Sequence, residues 1–311
     1  MATKTISLSN ALLMLTLITF WGSSFVVAKI VLREELTPVA LATFRFLIAG
    51  GLSLAVLLFK KSQKRDYNLF IEKKDAPTLL FLALSGVTLF FAAQYTGIKM
   101  AGAAIAAIFV CLLSPILITV FSTRIFKENL DRKQIFGIGI AATGTLIVIT
   151  SGVSFQSNKE FFFGSLILLS TPILWTAYSL FGKKTIEKYN PFLVVTYVNA
   201  LGGLFLIPFS LAENSLQQIF TMSLNSWLAV LFLSITCSLL GYNIWFYVLK
   251  QVGAAVTSSF LFAEPLITML FAVTLVGEEI TFSISTGGLL IFTGVYLVTK
   301  KQRTHKRFTT N

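Results

Sequence analysis

The chain has 311 residues, of which 55% are hydrophobic and only 12% charged, with a net charge of +12 and a mean hydropathy of +0.82. Ordinary soluble domains carry about 25% charged residues, so this chain has too little polar surface to stay dissolved, and a bilayer is its natural solvent. The same shortage excludes a nucleic-acid partner, which needs Lys and Arg gathered on a solvated face.

A helix that crosses a hydrocarbon core of about 30 Å needs about 20 apolar residues. Ten stretches meet that requirement: 9–31, 38–59, 77–98, 101–123, 133–151, 163–182, 191–212, 226–247, 254–276 and 282–299. The first is longer than the apolar core of a secretory signal, about 7–15 residues, and is read as a retained helix. Pro38, Pro77 and Pro191 stand where helices begin, which suits a residue that lacks an N–H. The most polar connectors are Lys60–Ala76, Arg124–Arg132, Ser151–Phe162, Lys183–Asn190 and Glu213–Asn225, and none is large enough for a soluble domain.

Alternate connectors divide the basic residues unevenly. One side receives twenty of the 25 Lys and Arg, from Lys4 through the 60–74, 124–133 and 183–188 clusters and Lys250 to the tail Lys300–Arg307. The other receives only Lys29, Arg33, Lys99 and Lys159, and Arg45 falls within a span. Basic loops stay inside, so both termini are expected to be cytoplasmic, in a cell membrane (plasma or inner).

The two halves repeat each other. Pro115-Ile-Leu-Ile-Thr, followed by Glu128, Gly137 and Gly144, recurs as Pro265-Leu-Ile-Thr-Met, followed by Glu278, Gly287 and Gly294. Lys99-x-x-Gly102-Ala-Ala recurs as Lys250-x-x-Gly253-Ala-Ala, and Trp21 and Pro38 find counterparts in Trp175 and Pro191. Each unit holds five spans, and an odd number turns the second copy upside down. The expected fold is an all-α polytopic membrane protein of ten transmembrane helices in two inverted five-helix repeats, residues 1–155 and 156–311. Inverted repeats are recurrent in secondary transporters, which hold substrate near mid-membrane between the halves and expose it to each side in turn.

Phe20-Trp-Gly-Ser-Ser-Phe25, Pro38 and Ala42-Thr-Phe-Arg45-Phe-Leu-Ile-Ala49 resemble the EamA-type branch of the drug/metabolite transporter superfamily. So do the ends of both halves, Lys127-Glu-Asn-Leu with Gly137 and Gly144, and Gly277-Glu-Glu-Ile with Gly287 and Gly294. The resemblance implies cytoplasmic termini and a central cavity built by helices 1–4 and 6–9, with helices 5 and 10 peripheral. It also favours export but does not imply one substrate, since the family handles amino acids, other metabolites and xenobiotics; an exporter of amino acids or related metabolites is the expectation taken from it.

Two intramembrane charges, Arg45 and Glu264, are the first candidates for a site. A charge at a helix centre costs roughly 2.5–3.5 kcal/mol on insertion scales, so both should face protein or cavity. Arg45 suits a substrate carboxylate, and Glu264 a substrate amine or a transported proton. The plain structural alternatives are an Arg45–Glu264 pair, or Arg45 bonded to backbone carbonyls. Trp21, Ser24 and Phe25, Gln94 and Tyr95, Trp175 and Tyr178, Asn199, and Tyr242 and Asn243 offer aromatic and hydrogen-bonding surface for an amphipathic solute. Asn199 equally suits a helix-to-helix bond. Pro115 and Pro265 each free a backbone carbonyl and read as hinges or as fixed kinks.

Gly137/Gly144 and Gly287/Gly294 lie on one helix face each and suit close packing, within the chain or in a homodimer. His305, Cys111 and Cys237 are too few and scattered for a metal centre, and Asp66, Asp75 and Asp131 lie in connectors, so no cofactor is expected and a membrane enzyme is disfavoured. No nucleotide-binding P-loop occurs. The leading reading is a secondary transporter of small organic solutes, driven by a proton or substrate gradient; the alternative is an uncoupled facilitator or importer.

Overall fold

The computed structural model describes residues 6–34, 36–63, 69–150, 159–276 and 282–299. Glu278 and the basic tail from Lys300 lie outside them, as do Lys4, Lys64, Arg65, Asp66 and His305.

The described chain is a bundle of helices. They are α1 (Leu8–Glu34), α2 (Pro38–Gln63), α3 (Lys73–Ala101), α4 (Ile105–Ile125), α5 (Arg132–Thr150), α6 (Lys159–Lys188) and α7 (Pro191–Ala212). Then follow α8 (Leu224–Val252), α9 (Ala254–Phe271, with the helix running on to Val276) and α10 (Phe282–Thr299). Among the described residues, α1 to α9 are long and apolar enough to cross a membrane, while the apolar stretch of α10, Ser285–Thr299, is shorter. Helix is the form that lets an apolar segment satisfy its own backbone away from water. Phe136, Phe162, Leu166, Ile173, Leu204 and Leu289 stand exposed on the outside of the bundle, as lipid contact requires.

Several helices outrun the apolar stretches that define them. α6 continues through Lys183, Lys184 and Lys188, expected as connector, because lysine is a good helix former and its charge suits the C-terminal end of the helix dipole. Elsewhere capping sets the bounds. α7 starts at Pro191 with the Asn190 side chain accepting from the Phe192 N–H at 2.9 Å, and the Ser223 hydroxyl accepts from the Ser226 N–H at 3.2 Å ahead of α8.

Gly102 (φ 91°) and Gly253 (φ 109°) reverse the chain into α4 and α9 with almost no connector, a conformation that disfavours any residue with a Cβ. Helices α2 and α7, α4 and α9, and α5 and α10 pack as pairs; α1 lies on α9 and α8, and α6 lies on α4 and α3. The α5–α10 contact is made by the glycines: a Cβ on Gly137 would sit 2.8 Å from the Gly294 carbonyl oxygen, and one on Gly144 only 2.6 Å from that of Gly287. Both glycine faces are thus used within the chain.

Candidate functional site

At the centre of the bundle Trp21, Ser24, Phe25, Arg45, Phe90, Phe91, Gln94, Val110, Trp175, Tyr242, Leu261 and Glu264 surround one cavity. Its free volume is about 40 Å³. That is space for about three waters and less than an amino acid occupies.

Arg45 comes from α2 and is 2% exposed. Its Nε donates to Ser238 Oγ and its Nη1 to the Tyr95 hydroxyl, both at 2.7 Å, while Phe91 and Phe46 lie 4.5 and 5.1 Å from the guanidinium carbon. Two rings and two hydroxyls therefore hold the fork by hydrogen bonds and cation–π contact without neutralising it. Glu264 from α9 is 3% exposed, and its Oε2 accepts from Cys111 Sγ at 3.3 Å. No ion pair joins Arg45 to Glu264 among the described residues. The alternative of mutual neutralisation is not what the structure adopts, and neither is Arg45 bonding backbone carbonyls.

The aromatic residues form one interlocking set. Trp21 meets Trp175 edge-on at 5.3 Å between ring centroids, and Trp175 lies 5.8 Å from Tyr242 and 5.2 Å from Tyr178. Trp21 Nε1 donates to the Cys237 carbonyl at 3.0 Å, and the Tyr242 hydroxyl to that of Gly86 at 2.9 Å. Those carbonyls belong to wide, π-type stretches of helix, Leu84–Thr88 in α3 and Leu233–Leu240 in α8; a third, Ile108–Leu113, carries Cys111 in α4 and runs directly into Ser114-Pro115. A wide turn shifts the backbone register and frees carbonyls, and such turns gather at functional sites. Ahead of Pro265, α9 instead tightens over Phe260–Ala263. Both expected hinges therefore sit at a change of helical pitch.

Of the residues singled out in the sequence, Trp21, Ser24, Phe25, Arg45, Gln94, Trp175, Tyr242 and Glu264 line the cavity. Tyr95 reaches it through Arg45, and Tyr178 packs behind Trp175. Two asparagines stand apart. Asn199 Nδ2 donates to the Ser238 carbonyl at 3.5 Å, a helix-to-helix bond, and Asn243 donates to the Leu239 carbonyl at 2.6 Å and faces a separate groove with Leu13 and Tyr247. Sequence reasoning missed Phe90, Phe91, Cys111, Val110, Ser238 and Leu261; in helices this apolar, neither an apolar residue nor a single small Ser or Cys carries a mark of facing inward.

A multi-pass helical membrane protein with a small, charged and aromatic cavity at its centre is the class that fold and site define. The EamA-like transporter family model matches residues 8–150 and again 162–300, and the chain belongs to that family. An uncharacterized transporter of Archaeoglobus fulgidus is 32% identical over 95% of this chain and 99% of its own length. A probable amino-acid metabolite efflux pump of Salmonella typhimurium is 25% identical, covering 94% and 95%. A protein of known crystal structure shares the fold, with a TM-score of 0.75 at 19% identity over 94% of this chain and 96% of that one.

Proposed function

We propose that the protein is a secondary transporter that carries small zwitterions, amino acids or closely related metabolites, outward by alternating access. The observation that carries this reading is a buried guanidinium and a buried carboxylate lining one cavity without pairing to each other. An amino acid would supply the counter-ion that each lacks, its carboxylate to Arg45 and its ammonium to Glu264, and its side chain would rest on Trp21, Phe25, Trp175 and Tyr242. Charge-assisted bonds of this kind are the stronger class. The name of the Salmonella relative supports the substrate class and the direction.

The architecture in this proposal is ten crossings in two inverted units, 1–155 and 156–311, with α10 as the tenth and both termini in the cytoplasm. The twofold family match supports it, as do the helix pairs α2–α7, α4–α9 and α5–α10, each of which exchanges with itself when the units are swapped. In the alternating-access cycle the state seen here is contracted, and the pitch changes before Pro115 and Pro265 are where α4 and α9 bend to widen the cavity. Among the described residues lining the cavity, Glu264 is the one carboxylate, placed to exchange a substrate amine for a proton.

Purified protein warmed with a panel of ligands tests the substrate class. An intact amino acid should raise the melting temperature, whereas its decarboxylated amine and its deaminated acid should each give a much smaller shift. Equal shifts from the amine and the amino acid would remove Arg45 from carboxylate recognition.

A further inference from the structure

The aromatic set lines the cavity, and on three helices the same face continues beyond it toward one end of the bundle. On α6, Trp175 lines the cavity, Ser179 lies one turn further and Lys183 one turn beyond that, so the three share a face. On α4, Val110 lines the cavity and Ser114 follows one turn on. On α8, Tyr242 lines it and Trp245 follows. Ser179 Oγ, Ser114 Oγ and Trp245 Nε1 are completely buried, and none has a hydrogen-bond partner. The Tyr178 hydroxyl, behind Trp175, is in the same state. A buried polar atom left without a partner costs about 1–3 kcal/mol, and four of the seven such side-chain atoms among the described residues fall on or beside these faces.

Beyond them the faces end at one ionic knot. Glu128, in the turn after α4, takes the Lys183 ammonium on its Oε1; the same carboxylate accepts the Ala254 and Ala255 N–H groups at 2.9 and 3.1 Å. Phe126 covers the ammonium, 4.2 Å from its ring centroid, and the two charged side chains are 13% and 6% exposed. One carboxylate thus ties the end of α4 to the end of α6 and to the N-terminal end of α9, where helix-dipole attraction adds to the bonds. The other ion pairs nearby, Lys188 with Glu72 and Asp75, are much more exposed and hold far less.

We propose that the unpartnered atoms of Ser114, Ser179, Tyr178 and Trp245 line the inner half of the transport path, a second station for the polar ends of the substrate, and that the Glu128–Lys183–α9 knot is the latch that keeps it shut. Opening the latch would let α4, α6 and α9 part and give these atoms water or substrate to bond. The proposal rests on the transport reading above and on its assignment of this end of the bundle to the cytoplasm.

Cysteine accessibility tests it without any substrate, so a wrong substrate class leaves the outcome unaffected. In a Cys111→Ala/Cys237→Ala background, Ser179→Cys should resist a membrane-impermeant thiol reagent. Adding Lys183→Met, which leaves Glu128 on the α9 N–H groups, should speed labelling about tenfold or more, as loss of one charge-assisted pair allows. Labelling should come only from the side that carries Lys183, and Lys183→Arg should restore protection. Unchanged labelling in Lys183→Met, labelling from the opposite side, or Lys183→Arg behaving like Lys183→Met would overturn the proposal. Melting temperatures of the three proteins separate opening from unfolding: fast labelling in a variant that melts with the parent supports the latch, and fast labelling only in a variant that has lost its melting transition counts against it.

Discussion

Arg45 and Glu264 sit in the same cavity with different kinds of support, and their variants should fail differently. Arg45 holds Tyr95 and Ser238 through two nitrogens of one planar fork. Arg45→Lys keeps the charge but cannot make that geometry. It should raise the KM for a zwitterionic substrate about tenfold or more in a liposome flux assay, with the expression level kept. Glu264→Gln keeps the shape and removes the exchangeable proton. It should abolish accumulation driven by a pH gradient while substrate exchange at equal pH persists at a reduced rate, because the Gln oxygen still accepts from the ammonium without the charge; undiminished proton-driven accumulation would take Glu264 out of coupling. Glu128 gives a prediction of stability instead. Burial alone would push its carboxyl up, but Lys183 and the Ala254 and Ala255 N–H groups outweigh it and hold the group below the usual carboxylate range. A lowered value in the folded state means a contribution that is full above the unfolded value, about 4.3, and is lost as pH falls through the folded one. The melting temperature of Glu128→Gln should therefore lie below the parent's at neutral pH and converge with it in acid. A gap that stays constant with pH would show that the charge of Glu128 is not what stabilises.

Helices were the legible part of the sequence. The 191–212, 254–276 and 282–299 stretches match α7, α9 and α10 to the residue, and the other apolar runs end within about six positions of their helices, because a segment that must satisfy its own backbone in lipid has one form open to it. Apolar composition carries no such message about pitch. The wide turns at Leu84–Thr88, Ile108–Leu113 and Leu233–Leu240 contain nothing that separates them from ordinary helix, yet they place Cys111, Ser238 and the Gly86 and Cys237 carbonyls around the site. Helix packing is open to direct test through two glycines of α5. Gly144→Leu would drive a Cβ to 2.6 Å from the Gly287 carbonyl oxygen, whereas Gly139 has nothing within 4 Å. The first should cost about 1–3 kcal/mol of stability, and Gly139→Leu should stay within about 0.5 kcal/mol of the parent in detergent melts. Equal melting of the two would mean that α5 and α10 do not pack as described.

Over the whole molecule, the net charge of +12 becomes intelligible as a matter of sides. Most of it belongs to connectors on one face of the proposed topology, and within the bundle Arg45 and Glu264 cancel in the sum without touching. Charge counting and the repeat located these two residues, since an ionisable group in an apolar run is conspicuous. Pairings across distant segments were beyond it: Arg45 with Tyr95 and Ser238, Cys111 with Glu264, and Glu128 with Lys183 join residues 50 to 193 positions apart, and sequence spacing says nothing of contacts between helices. Asn243 marks the same limit from the other direction, a polar residue that reads as lining and bonds a helix backbone, whereas Asn199 makes the helix-to-helix bond that was one of its two readings.

The central claim is that Arg45 and Glu264 together carry a zwitterion across the membrane. Counterflow of a labelled amino acid into liposomes preloaded with the same amino acid tests it most directly, in the parent and in Arg45→Gln and Glu264→Ala. Saturable counterflow is expected in the parent and should fall at least tenfold in each variant, with the amine and acid analogues failing to compete. Counterflow that survives both substitutions, or that the amine alone supports as well as the amino acid, would contradict it.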